Sequence, residues 1–149
     1  MGEENKSRAP RAVTGRCLCG TISYHASVKP HDVAACHCSM SRRWLGGILL
    51  AVSAEGEVEF SAPGAISTYR SSEGAERRFC SHCGSNLFYR LVESGDYILC
   101  TGAFDDQVQF ALSEQIFIDE KPHWYEFANR TLVRTGAEMI AAFEKSSGE

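Results

Sequence analysis

The chain has 149 residues, 44% hydrophobic and 23% charged, which suits one globular domain with enough apolar material for a core of its own. A net charge of −4 and a pI of about 5.7 exclude a broad positive field for nucleic acid, and no run approaches the roughly 18 apolar residues of a membrane span. Seven cysteines in such a chain need a chemical explanation.

Residues 1–12 are polar and of mixed charge, so a mobile N-terminal tail is expected there and a single domain over 13–149. Met1 to Lys6 carry no apolar h-region of a signal peptide, so a cytoplasmic protein with reduced thiols is expected. Cys17-Leu18-Cys19-Gly20 is a compact cysteine pair followed by glycine. Thr21 to His25 alternates and reads as a strand, closed by Pro30; His25 and His31 lack partners at metal spacing and read as surface residues. In Cys36-His37-Cys38 an extended backbone would put both sulfurs on one side and His37 on the other. Arg42 and Arg43 suit carboxylates and the backbone at Gly46 and Gly47 permits close approach, although exposed arginines and a simple turn explain the same residues; Trp44 reads as a core aromatic or a pocket wall.

Short strand-like runs follow: Ile48 to Val52, Glu57 to Phe60, Ile66 to Arg70, Leu87 to Tyr89, Tyr97 to Thr101 and Gln115 to Ile118. Turn-rich pieces such as Ala62-Pro63-Gly64 separate them, which indicates a mainly β domain with antiparallel pairing. Arg77-Arg78 is a local basic pair, facing an anionic small molecule or solvent. Cys80-Ser81-His82-Cys83-Gly84 lies between two strand-like pieces, and Cys100 reads as a small buried hydrophobe. One C-terminal helix is expected from the capping box of Thr135 and Glu138, with Met139, Ile140 and Phe143 forming an apolar face that covers a sheet and carries no function.

Each of the two outer cysteine pairs sits in a tight turn with a glycine behind it, which is how half of a zinc site looks. Cys17, Cys19, Cys80 and Cys83 together supply the four thiolates of a closed structural zinc site. A redox Cys-x-x-Cys would stand between a strand and a helix, and disulfides would need an oxidising compartment; neither context is evident.

The order and spacing of Gly15-Arg16-Cys17-Leu18-Cys19-Gly20, Cys36-His37-Cys38-Ser39, Arg78-Phe79-Cys80-Ser81-His82-Cys83-Gly84-Ser85 and Gly102-Ala103-Phe104-Asp105 resemble the glutathione-dependent formaldehyde-activating enzymes, a family that includes relatives of centromere protein V. The resemblance spans about residues 15 to 125. It implies small antiparallel sheets leaning together as a β-tent around the structural zinc on Cys17, Cys19, Cys80 and Cys83. It also implies a second zinc with an open position, held by a Cys-His-Cys-x-x-Cys motif. Cys36 and Cys38 match its first two ligands, but the third falls on Ser41, whose un-ionised hydroxyl is a far poorer ligand than a thiolate.

The expected activity is that of a carbon–sulfur lyase forming S-hydroxymethylglutathione from formaldehyde and glutathione, with Cys36, Cys38 and Ser41 at the reacting site, Arg42, Arg43, Gly46 and Gly47 holding the tripeptide, and a small-molecule thiol and aldehyde as the partners. Two alternatives stand beside it: a zinc-binding protein of the same fold with impaired catalysis, and a thiol redox module built on Cys36 and Cys38.

Overall fold

The computed structural model describes residues 9–147. In chain order its strands are β1 (Arg11–Arg16), β2 (Ser23–Val28), β3 (Val33–Cys36), β4 (Leu49–Ser53), β5 (Glu59–Phe60) and β6 (Ile66–Arg70). They continue as β7 (Ala75–Cys80), β8 (Asn86–Leu91), β9 (Tyr97–Cys100), β10 (Leu112–Ile116) and β11 (Leu132–Arg134). Helix α1 (Ser39–Leu45) follows β3, and helix α2 (Gly136–Ser147) ends the chain. Residues 1–8 of the expected tail lie outside the described residues, and Arg11 and Ala12, assigned to that tail from sequence, are the first two residues of β1.

Alternation builds the small sheet. Val13 and Gly15 in β1, and Tyr24, Ala26 and Val28 in β2, are buried between more exposed neighbours, so each strand turns one face inward. The two strands pair antiparallel with Gly15 opposite Tyr24, and β5 adds to β2. A Cβ at Gly15 would lie 2.4 Å from the Tyr24 ring, so only glycine fits there.

The other eight strands form one sheet in the order β11-β10-β3-β4-β9-β8-β7-β6. Most of its pairs are antiparallel, as the frequent turns require, but β10 runs parallel to both β3 and β11. Parallel neighbours need long crossovers. The chain from β4 through β9 lies between β3 and β10, and residues 117–131 lie between β10 and β11, so neither pairing was visible in local sequence. The fold is therefore mainly β, with one small antiparallel and one larger mixed sheet.

Consecutive residues of β9 show what each face of the large sheet does. Leu99 points into the main core with Ile22, Tyr24, Val28, Leu87 and Phe88, whereas Ile98 and Cys100 join a second cluster with Cys36, Leu49 and Ala51. In the main core Phe60 stacks on Phe88 at 5.2 Å and Tyr97 closes on Phe88 at 5.3 Å. Fully burying each such side chain contributes about 1.5–3 kcal/mol. The small sheet thus covers one face of the large sheet, and the opposite face is left to α1 and α2.

Helix α1 was not expected. Its N-cap is Cys38, whose sulfur accepts from the Ser41 N–H at 3.4 Å, and it ends at Gly46 in the left-handed region, φ 78°. Helix α2 starts as expected: the Glu138 N–H donates to Thr135 Oγ1 at 3.1 Å and the Thr135 N–H donates to Glu138 Oε1 at 2.9 Å. Its first residue is then fastened from a distance. The Gly136 N–H donates to Asp119 Oδ1 at 2.8 Å, and a Cβ on Gly136 would meet the Phe117 ring at 2.8 Å. Phe117 itself sits at φ 54°, a conformation that costs an aromatic residue about 1–3 kcal/mol.

Candidate metal centre and thiol site

Two turns of the same build bring four cysteines together. In the first, the Cys17 N–H donates to Ile22 O and the Gly20 N–H donates to Cys17 O; in the second, the Cys80 N–H donates to Ser85 O and the Gly84 N–H donates to Cys80 O. Gly20 and Gly84 adopt φ of 80° and 77°, which a side chain would strain. The turns meet where the Leu18 N–H donates to Ser85 Oγ at 2.9 Å. Their sulfurs all lie within 4.8 Å of one another, with Cys17 to Cys19 at 3.6 Å and Cys19 to Cys80 at 3.9 Å. A tetrahedral ion with metal–sulfur bonds near 2.3 Å needs edges of about 3.8 Å, so the donor set fits a four-thiolate metal.

Backbone amides donate directly to these sulfurs. The Ile22 N–H donates to Cys17 Sγ at 3.3 Å and the His82 N–H to Cys80 Sγ at 3.4 Å. The hydroxyl and then the amide of Ser85 lower the Cys83 thiol to about 5, and those of Thr21 lower the Cys19 thiol. Both therefore favour the thiolate form that a metal binds. Among the described residues, this is the one place where three or more Cys, His, Asp or Glu side chains converge as possible ligands.

The second cysteine pair lies on the other face of the large sheet. Cys36 ends β3 and Cys38 caps α1, so both sulfurs face the first turn of the helix. Ser41, only 2% exposed, places Oγ 3.2 Å from Cys38 Sγ and 3.5 Å from Cys36 Sγ. The two thiols share their protons unequally. A hydrogen bond from Cys36, then those of Ser41 and the charge of Arg77, hold the Cys38 thiol at about 5. The same bond and burial push Cys36 up. His37 points away, as expected of an alternating segment: buried, it lies 2.9 Å through Nε2 from Gln115 Oε1 and 3.3 Å through Nδ1 from the Tyr125 hydroxyl.

Arg77, read from sequence only as half of a local basic pair, is buried beside the thiols. Only 5% exposed, its guanidinium lies 5.0 Å from the Trp44 ring centre and 4.8 Å from that of Tyr89. Its Nε donates to Ser71 Oγ at 3.2 Å, while Nη1 is buried with no partner. A buried cation without a carboxylate is costly unless other negative charge is near. Its neighbour Arg78 pairs with Glu76 at 2.6 Å. A register shift between Arg78 and Phe79 breaks the alternation of β7, so nothing local marks which arginine turns inward.

Cys36, Cys38, Ser41, Arg77 and Tyr89 line a groove of about 700 Å³ that also receives Met139, Ile140 and Phe143 from α2. The helix that was expected to carry no function therefore walls this groove. Arg42, Arg43, Gly46 and Gly47 line a different groove, of about 440 Å³, with Pro122, Trp124 and Tyr125. The Arg42 Nε donates to His37 O at 3.1 Å. The seven residues of α1 thus separate the expected tripeptide-binding residues from the thiols. Trp44 serves as both core aromatic and pocket support, stacking under Arg77 in the second cluster. Cys100 is buried as expected, which pushes its thiol up to about 12.

Among the described residues, no third Cys, His, Asp or Glu ligand joins Cys36 and Cys38. Two sulfurs, one neutral hydroxyl and a buried guanidinium do not fit a second divalent metal of the three-thiolate kind, because the hydroxyl is a weak donor and the guanidinium opposes more positive charge.

Among known proteins, an uncharacterized lyase of Schizosaccharomyces pombe is 30% identical to this chain over 132 residues, 88% of this chain and 96% of that protein. The crystal structure of a Rhodobacter sphaeroides protein superposes with a TM-score of 0.56 at 17% identity, covering 66% of this chain and 97% of that one, and shows the same fold. The sequence profile described as glutathione-dependent formaldehyde-activating enzyme matches residues 12–120, a span containing both cysteine turns, the thiol pair and Arg77. With its paired cysteine turns and a relative of nearly equal length, the chain belongs to the family of glutathione-dependent formaldehyde-activating enzymes.

Proposed function

We propose that this protein is a carbon–sulfur lyase that interconverts a thiol plus an aldehyde with their adduct, in the family's sense glutathione plus formaldehyde with S-hydroxymethylglutathione. The observation that carries this reading is the meeting of Cys36, Cys38, Ser41 and Arg77 at the floor of one groove, in a chain of that family. Cys17, Cys19, Cys80 and Cys83 hold a structural zinc, which ties the first hairpin to the β7–β8 turn and closes the four-thiolate set without an open position. No step of the chemistry is routed through it or through a second metal.

In the adduct-forming direction, the Cys38 thiolate orients the incoming thiol by accepting a hydrogen bond from its S–H, and that proton passes into the Cys36–Cys38 pair only as the sulfur attacks. That sulfur attacks the carbonyl carbon, a C–S bond forms, and the C=O π pair moves to oxygen. That oxyanion takes a proton back from the Cys36–Cys38 pair, so atoms and charge balance over one turnover. Ser41 Oγ, within reach of both sulfurs, steadies whichever one is charged. Arg77 supplies fixed positive charge where the oxyanion develops.

Ser41 at the family's third ligand position favours a second reading, a zinc-stabilised scaffold whose chemistry is slowed. The test is the exchange rate between ¹³C-formaldehyde and its glutathione adduct, followed by NMR saturation transfer. The lyase reading expects exchange that rises in proportion to protein. A rate equal to that in buffer contradicts it and favours the second reading.

A further inference from the structure

The groove over Cys36 and Cys38 is much larger than a one-carbon aldehyde needs. Its volume of about 700 Å³ falls among pockets that take drug-sized ligands. Formaldehyde fills little more than a water molecule's share, roughly 30 Å³. Cys36, Cys38, Ser41 and Arg77 supply reactive and polar atoms to its lining. Leu91, Ile116, Phe117, Met139, Ile140 and Phe143 line the same groove, so much of its surface is apolar.

Two further features say what kind of group belongs there. Ile140 and Phe143 are 55% and 49% exposed although they face the groove, so they have surface left for a ligand to cover. Glu120 and Glu144 stand on the same lining, whereas Arg42 and Arg43 open onto the other groove. The lining thus offers contact to hydrocarbon, and among its described residues Arg77 is the one cation.

We infer that this groove is a subsite for the apolar substituent of the aldehyde, so that the preferred substrates are thiol adducts of aldehydes with an aliphatic or aromatic body, above those of formaldehyde. This rests on the lyase reading and deepens it. The bond changes are those given for formaldehyde: the thiol sulfur bonds to the carbonyl carbon, the π pair moves to oxygen, and the thiol proton ends there. No further reactant is needed.

The subsite is tested apart from turnover with unreactive thioethers. S-methyl-, S-butyl-, S-hexyl- and S-octylglutathione are titrated into the zinc-loaded protein by calorimetry. Affinity is expected to rise with chain length, by up to about fourfold for each methylene fully buried. Ile140→Asp and Phe143→Asp each flatten that dependence, and Val108→Asp, which adds the same charge at a 93% exposed position outside the groove, leaves it intact. Affinity that does not change with chain length overturns the inference, as does a chain-length dependence that survives both α2 substitutions. Turnover of the adducts of formaldehyde, butanal, hexanal and benzaldehyde separates the two readings. Length-dependent binding with no turnover of any adduct removes the lyase reading and leaves the subsite. Turnover of the formaldehyde adduct with flat binding removes the subsite and leaves the lyase.

Discussion

Removing the Cys36 sulfur isolates what holds Cys38 as a thiolate. Three groups stabilise that charge: the Cys36 thiol, the Ser41 hydroxyl and amide, and the guanidinium of Arg77, of which Cys36 is the largest. A hydrogen bond to a charged acceptor contributes about 1.5–3 kcal/mol, or about one to two pK units. Cys36→Ala should therefore raise the Cys38 midpoint from about 5 to about 6–7. At pH 6 the thiolate fraction should fall from about 90% to about 10–50%. The assay is the pH dependence of iodoacetamide alkylation at Cys38, resolved by peptide mass spectrometry on zinc-loaded protein. An unchanged or lowered midpoint in the variant would refute the proton-sharing pair. The same shifts set a stability profile. A lowered folded-state value for Cys38 means that its contribution is complete above the unfolded value of 9.0 and is lost as pH falls through about 5. The raised Cys36 acts in the opposite sense and weakens the fold as pH rises above 9.0. Melting temperature should accordingly climb between those two values and decline beyond the upper one, with the alkaline decline smaller in Cys36→Ala, where the buried Cys100 thiol still contributes to it.

Cys83→Ser opens the four-thiolate set and should lower zinc content below one per chain and the melting temperature by at least about 5 °C, because metal affinity is folding free energy here; unchanged metal and melting would contradict the closed site. Ser41→Cys places a third thiol where the hydroxyl now sits between Cys36 and Cys38. It should raise zinc content towards two per chain after dialysis and increase formaldehyde–glutathione exchange, whereas an unchanged stoichiometry would show that Arg77 keeps a divalent ion out. Gly136→Val pushes a side chain into the Phe117 ring. Amide exchange over residues 136–147 should accelerate at least about tenfold and Cys38 should alkylate faster, since both report undocking of α2; unchanged rates would mean that this contact does not hold the helix.

What the sequence made legible, and what it did not, follows from the range of each interaction. The cysteine turns are local, so their residue types and glycines announce them, and the capping box of Thr135 and Glu138 is local too. The strands between Ile48 and Cys100 could be read because turn residues bracket them. Helix α1 was hidden because its cap is a cysteine, its one buried residue is Ser41, and the Cys-His-Cys alternation before it suggests continued extension. The docking of α2 depends on Gly136 meeting Phe117 and Asp119, a contact between chain segments that no helical pattern encodes. The burial of Arg77 was not legible for a related reason: the bulge beside Phe79 sets its direction, and the aromatic rings that accept it come from Trp44 and Tyr89. Arg42 and Arg43 line a different groove from the thiols although they are close to them in sequence, an arrangement set by the short helix between the two grooves.

The central claim is that the Cys36–Cys38 groove does the chemistry while the four-cysteine centre only holds the fold. Its most direct test is Cys38→Ala, measured for zinc content, melting and formaldehyde–glutathione exchange in one preparation. The account predicts one zinc per chain, a folded protein and exchange reduced to the rate in buffer. A folded, zinc-loaded Cys38→Ala protein that exchanges as fast as the unaltered chain would contradict it.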